Sequence, residues 1–392
     1  MSLADDAKLL LIPTGYKASK VYSVFPTDGD GDFTYTRSGD ASRVNPGGLI
    51  ETISDNIPRI DHTGGGCPTL LLEPQRTNYA TNNTSMDTYS NSVFGNNPNP
   101  TQTANYTIAP DGTLTATRLQ TSKTGTNYSL ISFPTTSDDG SGSGYYTASV
   151  YVKSNTGSSQ SIAFYGANSA PNNRTATTEW SRIQFTGQRL GNTKYAYLGT
   201  INGTDDDIDI SVWGAQIELV DSYPSSLIYT GASTVTRLKD ECYGGGNANL
   251  FNTEIGVIYL ELKKNGLDST FSGLSLSDGT TSNRIEIRYV GNSNTIQVVV
   301  RVGGSAVVVI GHTISDVTQK HKLAFKFEAD NYAFWVNGSK VGTDTSGALP
   351  PNLSEFAFDD GNGNFEFFGN VYDARVYTND LTDSQLTELT TL

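Results

Sequence analysis

The stretch NYAFWVNGSKV, residues 331–341, indicates the fold class. A run of aromatic and apolar residues precedes Asn337-Gly338, and a second short run follows it. Asn-Gly suits the two central positions of a tight hairpin turn, where the backbone needs positive φ. Successive side chains of a strand point to opposite faces, which places Phe334 on one face and Trp335 on the other. The stretch therefore predicts a β-hairpin with two occupied faces.

The rest of residues 249–392 continues this strand pattern. Gly303-Gly304 marks a second hairpin between two valine-rich runs. Other strand-like runs are "IGVIYLELK", "NRIEIRYV", "TIQVVVRV" and "HKLAFKFEA". The closing segment "LTDSQLTELTTL" predicts a short helix, because Thr382 and Gln385 have the spacing of a capping box. These residues predict an antiparallel sandwich followed by one helix.

Residues 81–240 predict a second sandwich, and the fold class is therefore all-β. "YYTASVYVK", "WSRIQFTG" and "IDISVWGAQIELV" alternate apolar and polar residues between turns rich in Gly, Asn and Asp. Their spacing is typical of a jelly roll. Residues 241–248, "ECYGGGNA", indicate a Gly-rich linker. Residues 1–80 are irregular, with too little apolar material for an independent core, and we interpret them as an attachment or assembly module.

Composition and charge restrict the partners. The chain has 392 residues, a net charge of −14 and 10% aromatic residues. Nucleic acids and anionic membranes are bound largely through Lys and Arg, so an acidic chain predicts neither partner. No apolar run reaches the roughly 18 residues of a membrane span. The acidic start "MSLADD" is unlike a secretory signal, and we expect no membrane insertion.

Three segments resemble modules of bacteriophage virion proteins. "GDFTYTRSGDASRVNPGGLIE", followed by "PRIDHTGGGCPTLLLEPQRTNY", is similar to an N-terminal module of tail-fibre, head-fibre and adhesin-like chains. "YTASVYVKS", "TEWSRIQF" and "VWGAQIE" resemble the carbohydrate-binding-like jelly roll that follows that module. "HKLAFKFEADNYAFWVNGSKV" and "FFGNVYDARVYTNDLTDSQLTEL" resemble a concanavalin A-like, laminin-G-type sandwich. Together the three resemblances cover nearly the whole chain.

The resemblance implies a head- or tail-fibre protein or adhesin on the surface of a phage particle, assembled in the host cytoplasm. It implies a homo-oligomer, usually a trimer, that contacts host-surface carbohydrate. We expect other virion proteins as further partners, and we expect that the protein is not an enzyme. Display in many copies would raise the avidity of weak glycan contacts. Two alternatives stay open: a capsid decoration protein whose sandwiches only stabilise the particle, and a glycan hydrolase or lyase on a sandwich scaffold.

Two oxygen-rich loops, "FDDGNGN" and "TDDDIDI", are candidate ligand sites. Their candidate residues are Asp359, Asp360, Asn362 and Asn364 in the first loop, and Asp205 and Asp207 in the second. Calcium binds about six to eight oxygens from carboxylates, amides and carbonyls, so each loop offers part of a calcium site. A solvated acidic turn is the favoured alternative for each. We prefer residues 359–364 as a glycan-binding loop and expect no cofactor other than calcium.

Tryptophans raise the question of sugar stacking, because an indole face suits a pyranose ring. Trp213 alternates with apolar residues in its strand and is interpreted as core. Trp180 begins a strand after a polar loop and is compatible with either role. Trp335 lies on the strand face opposite Phe334, which makes it available to a groove or a subunit interface. Trp335 and Trp180 are therefore candidate glycan-binding residues.

Paired carboxylates would indicate glycoside hydrolysis, which needs two carboxyl groups roughly 5–10 Å apart. The acids that the C-terminal sandwich offers are Glu261, Glu286, Glu328, Glu366 and Asp373. They are isolated in sequence, and the acids in "EFAFDDG" and "FEFFG" alternate with aromatic residues, which predicts that they face solvent. The sequence also lacks a Gly-x-Ser-x-Gly elbow, a P-loop and paired zinc-binding histidines. We assign no catalytic residue.

Residues 58–79 contain His, Cys and three glycines, and raise the question of a reactive loop. The glycines permit backbone conformations that other residues resist, and Leu70–Leu72 predict a short strand that ends at Pro74. We interpret the stretch as a seam to the next domain or to a neighbouring subunit. Cys67 precedes the jelly roll and Cys242 follows it, which predicts that the two are neighbours in space. In a reducing cytosol they would be reduced or marginally paired.

Overall fold

A computed structural model describes residues 3–134, 144–166, 173–189, 196–220, 223–251, 254–267 and 269–392. The chain divides into two compact units. Unit 1 contains Met1–Asp40, Ile53–Pro74 and Leu238–Leu392, and unit 2 contains Ala41–Thr52 and Gln75–Arg237. This division differs from the one expected from sequence, because residues 1–80 are distributed over both units.

Short antiparallel strands dominate both units, which confirms the all-β class. Up to residue 80 the strands are β1 (Leu9–Leu11), β2 (Tyr16–Lys17), β3 (Lys20–Val21), β4 (Phe33–Thr36), β5 (Ala41–Val44), β6 (Ile50–Ile53), β7 (Ile60–Asp61), β8 (Thr69–Leu72) and β9 (Arg76–Asn78). Up to residue 240 they are β10 (Ser90–Phe94), β11 (Thr101–Thr107), β12 (Ala116–Ser122), β13 (Tyr128–Ser132), β14 (Tyr145–Ser154), β15 (Gln160–Gly166), β16 (Asn173–Ala176), β17 (Ser181–Gln188), β18 (Ala196–Thr200), β19 (Asp207–Glu218) and β20 (Val235–Arg237).

The C-terminal strands and the helices complete the element order. The strands are β21 (Glu241–Tyr243), β22 (Ile255–Lys263), β23 (Ser272–Ser277), β24 (Arg284–Tyr289), β25 (Thr295–Val302), β26 (Ser305–Thr313), β27 (His321–Glu328), β28 (Tyr332–Val336), β29 (Ser339–Asp344), β30 (Glu355–Ala357) and β31 (Gly369–Tyr377). The helices are α1 (Ala248–Phe251) and α2 (Asp383–Thr390), with 3-10 turns at Leu3–Asp6 and Met86–Thr88. Among the described residues, no helix is both long enough and apolar enough to cross a membrane.

Unit 1 is a sandwich of two antiparallel sheets. One sheet has the strand order β29-β28-β27-β22-β31-β8-β7, with β1 also paired to β31, and the other has the order β26-β25-β24-β23-β30. Their inward side chains form one core that includes Leu260, Leu274, Val298, Phe325 and Phe356. Alternation along each strand supplies this core, because every second side chain points to the same face.

N-terminal strands complete the first sheet of unit 1. β1 pairs with β31 through Leu9–Leu11, and β8 pairs with the other end of β31 through Leu70–Leu72. These leucines are buried, and burial of apolar surface is the main favourable contribution to such packing. The predicted seam at Leu70–Leu72 is present, but its partner is the C-terminal sandwich rather than the jelly roll that follows in sequence.

A small sheet of unit 1, β2-β3-β4-β21, contains part of the predicted linker. β21 pairs with β4, so that Cys242 lies opposite Tyr35. The glycines that follow serve close packing, because a Cβ added at Gly246 would lie 2.2 Å from the ring of Phe251. Residues 241–248 are therefore an ordered strand and turn rather than a free linker.

Asp240, the residue before β21, lies at the centre of a buried ion cluster. The carboxylate of Asp240 accepts hydrogen bonds from Arg37 Nη1 at 3.2 Å, from the backbone N–H of Glu73 at 2.8 Å, and from Tyr35 and Arg59. Arg59 also pairs with the carboxylate of Glu73. The side chains of Arg37, Arg59 and Asp240 are fully buried. Because buried charges need partners, this cluster fixes the start of β21 in unit 1.

Helix α2 begins as the sequence predicts. The hydroxyl of Thr382 accepts a hydrogen bond from the backbone N–H of Gln385 at 3.3 Å, and Gln385 Oε1 accepts one from the backbone N–H of Thr382 at 2.9 Å. The capping box is confirmed. Leu386 is the buried apolar residue by which the helix packs on the outer face of the first sheet.

Unit 2 is a second sandwich, with strand orders β10-β13-β18-β15-β16 and β11-β12-β19-β14-β17. Its core includes Tyr146, Val150, Phe164 and Phe185 between the two sheets. The unit also contains the pairs β5-β6 and β20-β9. Trp213 is buried and its Nε1 donates to the hydroxyl of Thr115 at 3.1 Å, which confirms its predicted place in the core.

Candidate functional site

The preferred loop, residues 359–364, lines a cleft in unit 1. The cleft has a volume of about 280 Å³ and lies where β21 meets β30 and the loop after it. The residues that line it are Glu241, Cys242, Tyr243, Glu355, Phe358, Asp359, Gly361, Asn362, Gly363 and Glu366. A concave surface with apolar walls and a few convergent polar groups is the usual form of a small-ligand site.

The loop is shaped by its own carboxylates. Asp359 Oδ1 accepts a hydrogen bond from the backbone N–H of Gly361 at 2.6 Å. Asp360 Oδ1 accepts from the backbone N–H groups of Asn362 and Asn364, both at 3.1 Å. Aspartate side chains commonly close turns in this way. Gly361 has φ of 86°, a conformation that favours glycine, so the sequence Asp-Asp-Gly-Asn is matched to this turn.

The buried carboxyl of Asp359 is the most perturbed acid of the cleft. Asp359 is only 7% exposed to solvent. Burial raises the pKa of Asp359 to about 6, the backbone N–H groups of Gly361 and Gly363 oppose that rise, and the charges of Asp360 and Glu355 add to it. A carboxyl group that changes charge near pH 6 inside a cleft is a common feature of functional sites.

Three further carboxylates face the cleft. Lys239 Nζ lies 2.8 Å from Glu241 Oε1 and also pairs with Glu366. Burial lowers the pKa of Lys239, but the hydrogen bonds to Glu241 and Glu366 raise it by more. The net shift of this pKa is upward, so the ammonium stays charged. Glu355 Oε1 accepts a hydrogen bond from the backbone N–H of Gly244 at 3.1 Å. The cleft therefore carries more negative than positive charge.

Aromatic side chains and a thiol complete the lining. Tyr243 is 37% exposed at the cleft, while Phe358 is buried. Burial, with the charges of Asp240 and Asp359, raises the pKa of Cys242 well above its ordinary value. A protonated buried thiol is a poor nucleophile, so Cys242 belongs to the wall of the cleft. Cys242 and the exposed Cys67 are free cysteines, and their predicted proximity stays a prediction.

In the part of the chain that the structure describes, acidic side chains are not assembled into a calcium site. There, no group of three or more His, Cys, Asp or Glu side chains could hold a metal ion. Asp360 Oδ1 already accepts two backbone N–H groups, and Asp205 Oδ2 accepts the backbone N–H of Ser161 at 2.8 Å. Calcium at Asp359 and Asp360, or at Asp205 and Asp207, remains a prediction.

Unit 2 has a separate polar groove of about 370 Å³. Its lining residues are Pro98, Asn99, Thr101, Gln120, Thr121, Ser122, Thr156, Gln160, Asp207, Ile208 and Asp209. Hydrogen bonding to Arg118, with that to Asn155 and the nearby charge of Arg118, lowers the pKa of Asp209 despite partial burial. Asp207 lies on this groove, whose other polar groups are amides, hydroxyls and the carboxylate of Asp209, which is paired with Arg118. The groove is therefore a weaker candidate site than the cleft.

The structure corrects the prediction that Trp335 is available to a ligand. Trp335 is 1% exposed and packs with Leu381 and Leu386 beneath α2. Lys340 Nζ lies 4.9 Å from the centre of its ring. Both faces of β28 are covered, since Phe334 faces the core between the sheets and Trp335 faces the helix. Alternation identified the two faces correctly but could not show that α2 covers the second.

Trp180 is half-buried in unit 2. Its Nε1 donates to the carbonyl of Ile108 at 3.1 Å, and its ring packs against the cluster that contains Ala109 and Leu227. Trp180 is absent from the described linings of the cleft and the groove. The structure therefore gives Trp180 a packing role, and a glycan contact stays a prediction.

The acids considered for hydrolysis have partners. Glu261 pairs with Lys320, and Glu286 pairs with Arg284 and Arg288. Glu328 accepts a hydrogen bond from the side-chain amide of Asn331. Glu366 pairs with Lys239, and Asp373 pairs with Arg375. The prediction that the acids of "EFAFDDG" and "FEFFG" face solvent is wrong for Glu355 and Glu366, which are half-buried, and for Asp359, which is buried. Glu355 lies on β30, Asp359 and Glu366 lie on the segment after it, and all three line the cleft.

Sequence reasoning missed Glu241, Tyr243 and Glu355 as cleft residues. The signal for the first two was the spacing Glu-x-Tyr, which places both on one side of a strand with Cys242 on the other. Three residues are too few to distinguish such a strand from a Gly-rich linker.

No protein-family model matches the sequence. No curated protein matches it either. Among solved structures, the chain is similar to the CBM40 domain of a Ruminococcus gnavus sialidase bound to α2,3-sialyllactose, with 18% identity, a TM-score of 0.33 and coverage of 37% of this chain and 86% of that one. It is similar to domain 4 of the arabinanase AbnA of Geobacillus stearothermophilus, in complex with arabinotriose, with 16% identity, a TM-score of 0.33 and coverage of 41% and 77%. Similarity at this level supports no conclusion about the ligand of this chain.

Proposed function

We propose that the protein is a non-enzymatic structural protein of a phage particle that binds host-surface carbohydrate through the cleft of unit 1. The cleft itself carries the proposal. The ring of Tyr243, which is 37% exposed, offers apolar surface to a sugar, beside the carboxylate of Glu355 and the exposed amide of Asn362. A sugar hydroxyl both donates and accepts hydrogen bonds, a carboxylate accepts, and an amide does both. The set is thus complementary to neighbouring hydroxyl groups.

The phage assignment rests on the sequence resemblance, with its implied trimer and virion partners. A cleft of about 280 Å³ encloses only a short part of a glycan, so each contact is weak. Several copies on one particle convert weak contacts into strong attachment without any new contact. Light scattering and native mass spectrometry test the oligomer, and a stable monomer at micromolar concentration would contradict the trimer.

A glycan array with the full chain tests carbohydrate binding. The variants Tyr243→Ala and Asn362→Ala change exposed cleft residues, whereas Asn99→Ala changes the groove of unit 2. We expect both cleft variants to lose binding and Asn99→Ala to keep it. The opposite pattern would move the site to the groove. No binding to any glycan would leave the capsid decoration role.

One observation favours a second candidate function, a glycan hydrolase. Burial raises the pKa of Asp359 to about 6, and Glu355 lies close enough to influence its charge. Glycosidases use a carboxyl group with a raised pKa as the acid and a second carboxylate as base or nucleophile. Release of reducing sugars from host capsule, abolished in Asp359→Asn, would favour the enzyme. Binding without release favours the adhesin.

A further inference from the structure

The charge of the cleft in unit 1 narrows the class of saccharide that it can bind. We infer that the cleft selects sugars with a free amino group, whose ammonium lies against Glu355 and Asp359. This inference rests on the proposed function and adds the charge of the ligand. It follows from how the carboxylates of the cleft are paired.

Two of the four cleft carboxylates have a cationic partner and two do not. Lys239 pairs with Glu241 and Glu366 on one side of the cleft. The polar contacts of Glu355 and Asp359 are with backbone N–H groups. In the described part of the chain, neither Glu355 nor Asp359 forms a salt bridge. Four carboxylates against one ammonium leave a net negative charge.

The unpaired acids also interact with each other. Burial raises the pKa of Asp359, and the charge of Glu355 adds to that rise, so a negative charge on Glu355 disfavours the ionised form of Asp359. A cation between them would remove that repulsion. An ammonium group has three donors and no acceptor, so it can donate charge-assisted hydrogen bonds to both carboxylates.

An amino sugar fits this cleft better than a metal ion or an acidic sugar. Within the described residues no metal-ligating group is assembled, and the volume of about 280 Å³ is larger than one ion requires. The exposed ring of Tyr243 offers apolar contact to a pyranose, which a metal ion would not use. A sialyl or uronate carboxylate would be repelled by the same acids that attract an ammonium.

The affinity should depend on pH in two ways. The charged and titratable groups around Asp359 are Asp360 on its own loop, Glu355 on β30, Glu366 with its partner Lys239, and Glu241, Cys242 and Tyr243 on β21. The ammonium needs ionised Asp359, so affinity falls as pH drops below about 6. It also needs its own proton, so affinity falls again above the pKa of the amine. A neutral sugar of the same shape would show neither loss.

Calorimetric titration of the full chain with two matched ligands tests this inference. The ligands are the glucosamine hexasaccharide and its fully N-acetylated counterpart, which share a backbone and differ in charge. At low salt, where charge interactions are least screened, and near pH 6, we expect the free amine to bind on the order of tenfold more tightly. Glu355→Gln should abolish this preference, since it removes the charge while Oε1 can still accept from Gly244 N–H.

Glu388→Gln on the exposed face of α2 is the matched control and should keep the preference. Persistence of the preference in Glu355→Gln would assign it to the net charge of −14 and overturn the inference. Equal or tighter binding of the N-acetylated ligand, lost in Asn362→Ala, would also overturn it while leaving the glycan-binding cleft in place. Absence of binding by both ligands would refute the inference, and the array would then decide the proposed function separately.

Discussion

Replacing Asp240 by Asn should destabilise unit 1 by about 3–5 kcal/mol, the cost of breaking a fully buried ion pair. Asp240 accepts hydrogen bonds from Arg37, Tyr35, Arg59 and the backbone of Glu73, and its side chain is fully buried. Asparagine keeps the size and one oxygen. Its amide nitrogen, however, would face a guanidinium, and the buried Arg37 would lose its charged partner. The effect should exceed that of a typical single hydrogen bond, which contributes roughly 1 kcal/mol.

Urea unfolding followed by hydrogen exchange and mass spectrometry can locate this loss. Peptides from β4 and β21 report on the affected part of unit 1. Asp209→Asn in unit 2 is the matched control, because its pair with Arg118 is partly exposed and should contribute about 0.2–1 kcal/mol. A loss below about 1 kcal/mol for Asp240→Asn would refute the reasoning, since it would mean that the cluster does not depend on the charge of Asp240.

Three further changes have defined expectations. Burial raises the pKa of Asp359 to about 6 in the folded protein. The contribution of this group to the free energy of unfolding is therefore fully present below its unfolded-state pKa and is lost as pH rises through about 6. Asp359→Asn should therefore unfold at higher urea than the parent above neutral pH and lose this advantage in acid; a constant difference would contradict the assignment. Trp335→Ala should cost about 3–5 kcal/mol in urea unfolding, because the ring is buried beneath Leu386; a loss below about 1 kcal/mol would mean that α2 does not cover it. Gln385→Ala should weaken the capping box with Thr382 by about 1 kcal/mol or less, seen as faster amide exchange in α2 but not in β27.

Local patterns predicted the elements that depend on near neighbours in sequence. The hairpin at Asn337-Gly338, the capping box at Thr382 and the buried strand of Trp213 are confirmed. Each rests on residues within a few positions of one another, where turn geometry and side-chain alternation act directly. The all-β class follows from the same rules applied along the chain.

The candidate site was only half predictable. The loop from Asp359 to Asn364 stood out because oxygen-rich turns are conspicuous in sequence. Its partners Glu241 and Tyr243 did not stand out, because they lie on β21, more than a hundred residues before the loop in the chain. β21 reaches the cleft as a strand paired with β4. The raised pKa of Asp359 depends on burial and on Glu355, and neither can be read from the loop alone.

Composition, alternation and turn residues are enough to specify two sandwiches and their hairpins, because these depend on contacts close in sequence. Tertiary packing assigned the roles of individual side chains. It placed Trp335 beneath α2 rather than in a groove, joined Leu70–Leu72 to the C-terminal sandwich, and brought Glu241 to the cleft. The physical reason is that exposure, pairing and local charge are set by whichever distant segment covers a face, and periodicity identifies a face without identifying its cover.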